Sequence, residues 1–300
     1  MELRQIETFL RIAELGSFSR AAEKLGYSQS AVTMQMKQLE RELGVRLVDR
    51  IPRGAQLTDQ GRAFAFYARE LMAVSQRAVA AARIDEGDEK GMIGSLRIGG
   101  VESVSTAILP ELLVRFHDQH PHVELVVRTA RAEALIEDMR DNRLDLFVTM
   151  DRQMSVRGLA RTLLRAEDLV FVASPALDGL PGTVSLDDLS SLPLVLTERG
   201  ESYRRELELL LAERDEQLHP VVETGNTETL VHLAERGVGI AYLPRFSVAA
   251  ALAAGALIEL PTDIAQPSMW TQLFIHKDKL MTPPLDAFIR LVIEEMGAVA

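Results

Sequence analysis

Short polar side chains cluster between residues 28 and 37 at a spacing that suits hydrogen bonding to a nucleic acid. Residues three or four positions apart share one face of a helix. Hydroxyl and amide groups near the start of a helix can hydrogen-bond base edges and phosphates without steric bulk. The pattern therefore indicates a helix that reads the major groove of double-stranded DNA. The candidate contacts are Ser28, Gln29, Ser30, Thr33, Met34 and Lys37.

Three short helices are predicted to position this polar face. Apolar residues recur at helical spacing over Leu3–Leu15, and a glycine then ends the first helix. Serines and a second glycine predict a second helix that ends at Leu25 and a third that runs from Ser28 to about Leu43. This order is typical of a helix-turn-helix unit. The alternative is a plain three-helix structural unit whose polar faces are only solvated.

Two arginines follow the third helix in the segment LVDRIPRGAQLT. Pro52 and Gly54 predict a turn between two short strands, which would form a wing. A wing of this kind would carry Arg50 and Arg53 toward backbone phosphates or a minor groove. We therefore add both arginines to the candidate DNA contacts.

A long uninterrupted helix is predicted at about 59–84. Phe64, Leu71 and Ala78 repeat every seven residues, with pairs of apolar or small residues between them, as on the face of a coiled coil. The charged, glycine-containing segment 85–95 has the composition of a hinge. We expect the helix to pair with the same helix of a second copy of the chain. The alternative is that it packs against the rest of its own chain.

Strand and helix patterns alternate beyond the hinge. SLRIGG, VELVVRTA and LDLFVTM predict strands, and TAILPELLVRFHDQHP and AEALIEDMRDNR predict the helices between them. A second set of strands and helices runs from LVFVAS to GIAYLP. This alternation is typical of parallel-sheet α/β domains with right-handed crossovers. The body is therefore predicted to consist of two α/β lobes.

Polar residues at the carboxyl ends of these strands are candidates for a small-molecule site. Ligands of open α/β lobes bind at strand carboxyl ends, in the crevice between two lobes. Hydroxyls and free helix amides suit a polar or carboxylate ligand, whereas Glu102 and Glu198 suit an amine or guanidinium. The alternative for any one of these residues is ordinary capping at a strand end. The candidates are Val101, Glu102, Ser103, Thr129, Thr149, Met150, Thr197, Glu198, Asn226 and Thr227.

Charge is divided unequally along the chain. The net charge of −11 over 300 residues, taken whole, disfavours a polyanionic partner. Up to Arg83 the charge is +4, however, and beyond it the charge is −15. This division indicates that the basic N-terminal part, called the head, contacts phosphate groups. The acidic remainder, called the body, is expected to have a different partner. Because one mildly basic winged unit makes few phosphate contacts, we expect heads to act in pairs.

Several other chemistries are disfavoured. The chain has no cysteine, which excludes disulfides, thiolate zinc sites and cysteine nucleophiles. His117, His120 and His122 bracket a helix end without a recognisable metal motif, so neither a metal nor a cofactor is expected. Nucleotide-binding and serine-nucleophile motifs do not occur, so we expect no enzyme. Without a signal peptide or an apolar run long enough to span a bilayer, the sequence predicts a cytoplasmic protein.

The segment GSFSRAAEKLGYSQSAVTMQMKQLERELGVRLVDRIPRGAQLTDQGRAF carries a family resemblance. It is similar, almost without gaps, to the N-terminal domain of LysR-type transcriptional regulators. The resemblance implies that Gln29, Ser30, Thr33 and Met34 lie in the major groove and that Arg53 lies in the wing. The family often has arginine at the position of Met34, so here an apolar contact, such as one to a thymine methyl, would replace a polar one.

The body resembles the effector-binding part of the same family, which is similar to periplasmic binding proteins. The matching segments are LRIGG with LPELLVRFHDQHPHVEL, RLDLFVT, and LVHLAERGVGIAYLP. The resemblance implies an effector-controlled transcriptional regulator that is a homodimer or homotetramer, binds an inverted-repeat operator and has RNA polymerase as a further candidate partner. It implies three divisions: a winged helix-turn-helix domain at 1–58, a linker helix and hinge at 59–90, and an effector domain at 91–300. Within the effector domain, the first lobe is expected at about 91–162 plus 268–300, and the second at about 163–267.

Two other functions remain as alternatives. A solute-binding or carrier protein with N-terminal oligomerisation helices would bind a ligand but show no sequence-dependent DNA affinity. An enzyme built on the α/β body would turn over a small molecule, although no reacting group in the sequence supports it.

Overall fold

The computed structural model describes residues 1–52, 54–82 and 92–298. Within these ranges the chain forms a small helical head, a long helix and two α/β lobes. The predicted end of the long helix near Ile84 and the predicted hinge, except for residues 92–95, lie outside the described residues. In the described part of the chain, no helix has the length and apolar character needed to cross a membrane.

The head consists of three helices and a two-stranded wing. Its elements are α1 (Leu3–Leu15), α2 (Phe18–Leu25), α3 (Gln29–Leu43), β1 (Val48–Ile51) and β2 (Gly54–Leu57). A glycine in the left-handed region ends each helix, and serine side chains cap the amino ends of α2 and α3. Phe9, Val32 and Leu39 are completely buried, so the three helices share one core. The helix-turn-helix prediction is therefore confirmed.

A long helix, α4 (Asp59–Ala82), follows the wing and packs against the head. Its Ala65 and Ala68 are buried in the core of the head, and the rings of Phe9 and Phe64 meet edge to face at 5.2 Å. Part of the predicted coiled-coil face is thus used within the chain, because small and aromatic residues on that side fill the space beside α1.

The same helix contacts the first lobe. The side-chain amide of Asn142 donates a 2.9 Å hydrogen bond to the backbone carbonyl of Phe66 in α4. Asn142 is completely buried and has a φ of 53°, a left-handed conformation that asparagine tolerates better than most residues. The backbone amide of Leu280 also donates to the Glu70 carboxylate at 3.1 Å. These contacts tie α4 to the lobe through groups on two different loops.

The body alternates strands and helices, as the sequence predicts. In chain order its elements are β3 (Gly94–Gly100), α5 (Glu102–Ala107), α6 (Leu109–Gln119), β4 (Val123–Thr129), α7 (Ala132–Arg140), β5 (Leu146–Asp151), β6 (Leu159–Glu167), β7 (Leu169–Ala173), β8 (Leu194–Leu196), α8 (Ser202–Ala212), β9 (Val222–Glu223), α9 (Thr227–Glu235), β10 (Ile240–Pro244), α10 (Arg245–Ala253), β11 (Ile258–Leu260), β12 (Met269–His276) and α11 (Pro283–Met296).

These strands form two five-stranded sheets, one in each lobe. The first sheet has the order β4-β3-β5-β12-β6 and the second the order β11-β7-β10-β8-β9. β3 pairs in parallel with β4 and β5, and β8 with β9 and β10, but β12 and β7 pair only antiparallel. The two-lobed α/β architecture is confirmed, and only the expectation of wholly parallel sheets fails. The first sheet extends to Glu167, beyond residue 162, where the sequence placed the lobe boundary.

One predicted helix is two helices in the structure. The sequence predicts one continuous helix from Thr106 to Pro121, but α5 ends at Ala107 and α6 begins at Leu109, with Ile108 between them. Pro110 has no backbone N–H and therefore cannot donate the helical hydrogen bond back to Thr106. Before the break, α5 contributes Glu102 and Ser103 to the crevice between the lobes, whereas after it α6 packs against α11 through Phe116 and Phe288.

Replacing Gly61 with alanine is expected to destabilise the head. A Cβ at Gly61 would lie 2.0 Å from the backbone oxygen of Leu47, which accepts a 3.0 Å hydrogen bond from the Thr58 amide. Overpacking against backbone costs about 1 to 3 kcal/mol, so the thermal midpoint of the full chain should fall by several degrees. Gly182→Ala is the matched control, because a Cβ there would meet nothing within 4 Å. Equal midpoints for the two variants would contradict the close packing of α4.

Candidate DNA interface and inter-lobe crevice

The predicted recognition face of α3 is open to solvent. Gln29, Ser30, Met34 and Lys37 are exposed, and Thr33 is half-buried beside them. Met34 has 66% of its surface exposed, so it contributes little to the core. The five residues lie on one side of α3, opposite the buried stripe, as their spacing requires.

The amino end of α3 is fixed by its serines. The Ser28 hydroxyl accepts a 3.2 Å hydrogen bond from the Ala31 amide and lies 2.9 Å from the Ser30 hydroxyl. Ser28 therefore caps the helix, and this contact holds the first turn in place. A rigid first turn sets the direction in which the side chain of Gln29 leaves the helix.

The wing is joined to this face through Arg50. Its guanidinium donates a 3.1 Å hydrogen bond to the Thr33 hydroxyl and lies 4.6 Å from the centre of the Phe18 ring. Both contacts keep a positive charge beside the start of α3, where a phosphate backbone would pass. The predicted contact Arg53 lies outside the described residues.

Sequence reasoning missed two residues of this surface. Arg41 lines the same groove as Lys37 and Thr33, and its spacing of four from Lys37 could have revealed it. Phe18 supports Arg50 from the first turn of α2, a contact between distant segments that carries no periodic signal.

The crevice between the lobes brings together most of the candidate ligand-binding residues. Glu198 and Asn226 lie at its rim, where they contact Arg131 and Glu102. Thr129, the last residue of β4, does not line the crevice, whereas Arg131, two residues further along the chain, does. The candidates that do line it are Val101, Glu102, Ser103, Thr149, Met150, Thr197 and Thr227.

Polar contacts hold the two lobes together across the crevice. Arg131 of the first lobe pairs with Glu198 at 2.5 Å and with Glu201 at 2.9 Å. From the second lobe, Arg205 pairs with Asp151 at 2.9 Å. A further cross-lobe hydrogen bond joins the Ser202 hydroxyl to the Met150 carbonyl at 2.9 Å. These contacts leave a cavity of about 30 Å³, so the crevice is closed in this structure.

Two carboxylates of the crevice have perturbed acidity. Burial raises the pKa of Glu102, against a hydrogen bond from the Thr227 amide that lowers it. Burial also raises the pKa of Glu201, against the charge of Arg131. Both carboxyl groups are therefore partly shielded from water, Glu201 more than Glu102, and their interactions with charged groups are strengthened to that extent.

Three hydroxyls that line the crevice form no hydrogen bond of ordinary geometry in the described part of the chain, although two of them lie close to the buried Tyr203 hydroxyl. They belong to Thr149 on the first lobe and to Thr197 and Thr227 on the second. Each residue is at least 97% buried. Because buried polar groups normally find partners, hydroxyls left unpaired around one cavity indicate a place for a polar ligand.

The prediction from sequence did not include several residues that line the crevice. They come from the starts of α7 and α8, from the end of β5 and from the turn before α9. The strand-to-helix rule, applied also to the helix that begins near Tyr203, would have found most of them. They are Arg131, Ala132, Glu133, Asp151, Gly200, Glu201, Ser202, Tyr203, Arg205 and Gly225.

No group of three or more histidine, aspartate or glutamate side chains is positioned to hold a metal ion within residues 1–52, 54–82 and 92–298. The crevice therefore offers hydrogen bonds and single charges to a ligand, whereas the face of α3 offers amide, hydroxyl, thioether and basic groups. The first arrangement suits a small molecule and the second suits base edges and phosphates.

Comparison with known proteins agrees with the division of the chain into a helix-turn-helix head and a two-lobed body. The model of the LysR substrate binding domain matches residues 89–297, and the model of the bacterial regulatory helix-turn-helix protein, lysR family, matches residues 3–62. The uncharacterised HTH-type transcriptional regulator YwqM of Bacillus subtilis is 34% identical over 296 residues, which cover 97% of this chain and 98% of YwqM.

Two solved structures show the same fold. ArgP from Mycobacterium tuberculosis has a TM-score of 0.72 at 20% identity, covering 96% of this chain and 94% of ArgP. Full-length CbnR in complex with its target DNA has a TM-score of 0.53 at 22% identity, covering 99% of this chain and all of CbnR. The chain belongs to the LysR family and is a DNA-binding transcriptional regulator, not an enzyme.

Proposed function

We propose that this regulator reads its operator with α3 and the wing and is controlled by a small molecule bound between its two lobes. The observation that carries the proposal is the open face of α3, on which amide, hydroxyl and basic side chains stand together above a fully buried stripe. CbnR, a protein of the same fold, has been solved with its target DNA. The proposed effector site rests on the crevice and its unpaired hydroxyls.

In the proposed complex, α3 lies in the major groove with its first two turns against base edges. Gln29 and Thr33 hydrogen-bond bases, and Met34 makes an apolar contact such as one to a thymine methyl. Lys37 and Arg50 contact phosphates, and Arg53 would extend the wing contact.

We further propose that two chains pair through α4. Tyr67, Leu71, Val74 and Ala78 are exposed and follow the alternating spacing of four and three residues found at a coiled-coil seam. Tyr67 is 51% exposed, and Leu71 and Val74 are each 41% exposed. Pairing would cover this stripe and link two heads, which predicts an inverted-repeat operator and a homodimer, or a homotetramer if dimers associate further.

Effector binding requires the lobes to move apart, because a cavity of about 30 Å³ cannot hold an organic molecule. A ligand would replace some of the cross-lobe contacts and so change the angle between the lobes. Since the first lobe is tied to α4 through Asn142, that change would reach the heads. A coupling of about 1 to 3 kcal/mol is typical of such systems.

The proposed divisions remain those expected from the sequence, with a DNA-binding domain at 1–58, a linker at 59–90 and an effector domain at 91–300. We propose action in the cytoplasm, where DNA is accessible, and RNA polymerase as a further partner.

The proposed function is tested by a mobility-shift assay with the full chain and DNA that flanks its gene. We expect a discrete complex on a fragment that contains an inverted repeat, and weakening of that complex as the salt concentration rises. Equal affinity for flanking and random DNA, or no complex at low salt, would contradict the proposal. Ligand binding without any sequence-dependent complex would instead favour a solute-binding protein.

Substitutions on α3 should separate base reading from phosphate binding. Gln29→Ala is expected to weaken operator binding by about 1 to 3 kcal/mol, with a much smaller effect on random DNA, because base contacts carry the specificity. Thr33→Val should weaken binding to both duplexes, because it also removes the hydroxyl that accepts a hydrogen bond from Arg50. Lys37→Gln is the matched comparison on the same face. It should weaken binding to both duplexes alike and reduce the magnitude of the slope of log affinity against log salt by about 1 for each bound head, that is by about 2 for a pair of chains.

Fluorescence anisotropy with both duplexes at several salt concentrations measures these effects. Equal losses on operator and random DNA for Gln29→Ala would contradict base reading by that residue.

A charge placed on the exposed stripe of α4 should prevent pairing of the chains. Leu71→Glu puts a carboxylate at the centre of the proposed seam, where its desolvation is costly, so the full chain should sediment as a smaller species. Val45→Glu, at an equally exposed residue of the head (41%), is the control and should leave the sedimentation coefficient unchanged. A Leu71→Glu chain that sediments like the wild type would rule out this seam.

A further inference from the structure

The charges of the crevice are unequal, and its positive groups are already used. Four carboxylates and two guanidiniums line it. Arg131 is engaged by Glu198 and Glu201, and Arg205 by Asp151. An anionic ligand would therefore find no unpaired guanidinium among the described lining residues unless it broke one of these cross-lobe pairs.

Among the four lining carboxylates, Asp151 and Glu201 are paired with arginines, whereas Glu102 and the exposed Glu133 form no ion pair in the described part of the chain; of these two, only Glu102 is partly buried. In the described part of the chain its partners are neutral: the Asn226 side-chain amide at 3.1 Å and the backbone amide of Thr227. The nearest charge that acts on it is another carboxylate, that of Glu228, which together with burial raises the pKa of Glu102. A half-buried carboxylate without a cation gains the most from a ligand that brings one.

The helix end nearest to Glu102 is also occupied. At the amino end of α9, the Asn226 side-chain oxygen accepts from the Thr229 amide at 2.7 Å, and Glu102 accepts from the Thr227 amide. An anion placed there would have to displace Glu102 and would then lie beside it and Glu228. Repulsion between like charges in a site partly shielded from water opposes that arrangement.

The unpaired hydroxyls complete the site. Thr149 lies on the first lobe, as Glu102 does, whereas Thr197 and Thr227 lie on the second. A ligand whose charged nitrogen contacts Glu102 could use the remaining N–H groups or a polar tail to hydrogen-bond these hydroxyls. One molecule would thus contact both lobes, which is what a ligand that sets their angle must do.

We infer that the effector carries a protonated nitrogen, an amine or a guanidine, and that Glu102 is the carboxylate that binds it. The inference rests on the proposed crevice and names the chemical class of its ligand. Glu102 acts here as a specificity-determining residue. The same arrangement selects against carboxylate ligands.

The test is a thermal-shift titration of the full chain with ligands matched in size and opposite in charge. Putrescine, agmatine and spermidine are compared with succinate, glutarate and citrate. We expect one or more of the cationic compounds to raise the melting temperature and the anions to have no effect. Glu102→Gln keeps the size and hydrogen-bonding capacity of the side chain but removes its charge, and should raise the Kd of the cationic compound tenfold or more.

Glu124→Gln is the control, because Glu124 is an exposed glutamate on β4 and does not line the crevice. It should bind the cationic compounds like the wild type. No stabilisation by any of them, or equal stabilisation of the wild type and Glu102→Gln, would overturn the inference.

Thr149→Val separates this inference from the proposed function. If an anion stabilises the chain and Thr149→Val abolishes the effect, the crevice remains the effector site and only the charge of the ligand is wrong. If binding of a probe of either charge is unchanged by Glu102→Gln and by Thr149→Val, both the inference and the proposed effector site fail.

Discussion

The packing of α4 constrains every other part of the molecule, because one helix has to meet several surfaces at once. Successive residues of a helix are rotated by about 100°, so Ala65, Phe66 and Tyr67 face three directions. Ala65 is buried in the head, the carbonyl of Phe66 accepts the amide of Asn142 from the first lobe, and Tyr67 is exposed. A rotation or shift of α4 therefore cannot change one of these contacts without changing the others, which makes the helix suitable for coupling the crevice to the heads.

The closed crevice has features of a state that a ligand can readily shift. Arg131, Glu198 and Arg205 remain 50%, 49% and 41% exposed, and ion pairs at such positions contribute only about 0 to 1 kcal/mol each. The buried Thr149 hydroxyl, which has no partner in the described part of the chain, costs about 1 to 3 kcal/mol. The closed state therefore combines weak cross-lobe contacts with an unsatisfied group, and a polar ligand that satisfies this group changes the balance between the lobes. The crevice thereby provides the differential binding energy that allosteric control requires.

The head could be predicted well from sequence because its determinants are local. Helix caps, left-handed glycines and three- or four-residue spacing fix the polar face of α3, and none of them depends on distant contacts. Arg50 was found from its place in the wing, but its hydrogen bond to Thr33 and its contact with Phe18 join segments that only the fold brings together. For the same reason the spacing that suggested a coiled coil could not show that Phe64 and Ala68 are used by the head.

The crevice was predicted less completely because its shape depends on the order of the strands. Thr149 and Thr197 line it and Thr129 does not, although all three were chosen as residues near the carboxyl ends of strands. Strand order is set by long-range pairing, which a single sequence does not reveal. Arg131 and Glu201, which hold the lobes together, stand one residue before a helix, where the sequence alone gives no reason to expect a cross-lobe ion pair.

Coupling between the heads and the crevice is tested most directly from the DNA side, because linkage between two binding sites is reciprocal. Hydrogen–deuterium exchange of the full chain is measured with and without an operator duplex. Coupling through α4 predicts changed protection in the amino ends of α8 and α9, at 197–205 and 224–230, as well as in the head. Changed protection confined to residues 1–62 would contradict the coupling of the crevice to DNA binding.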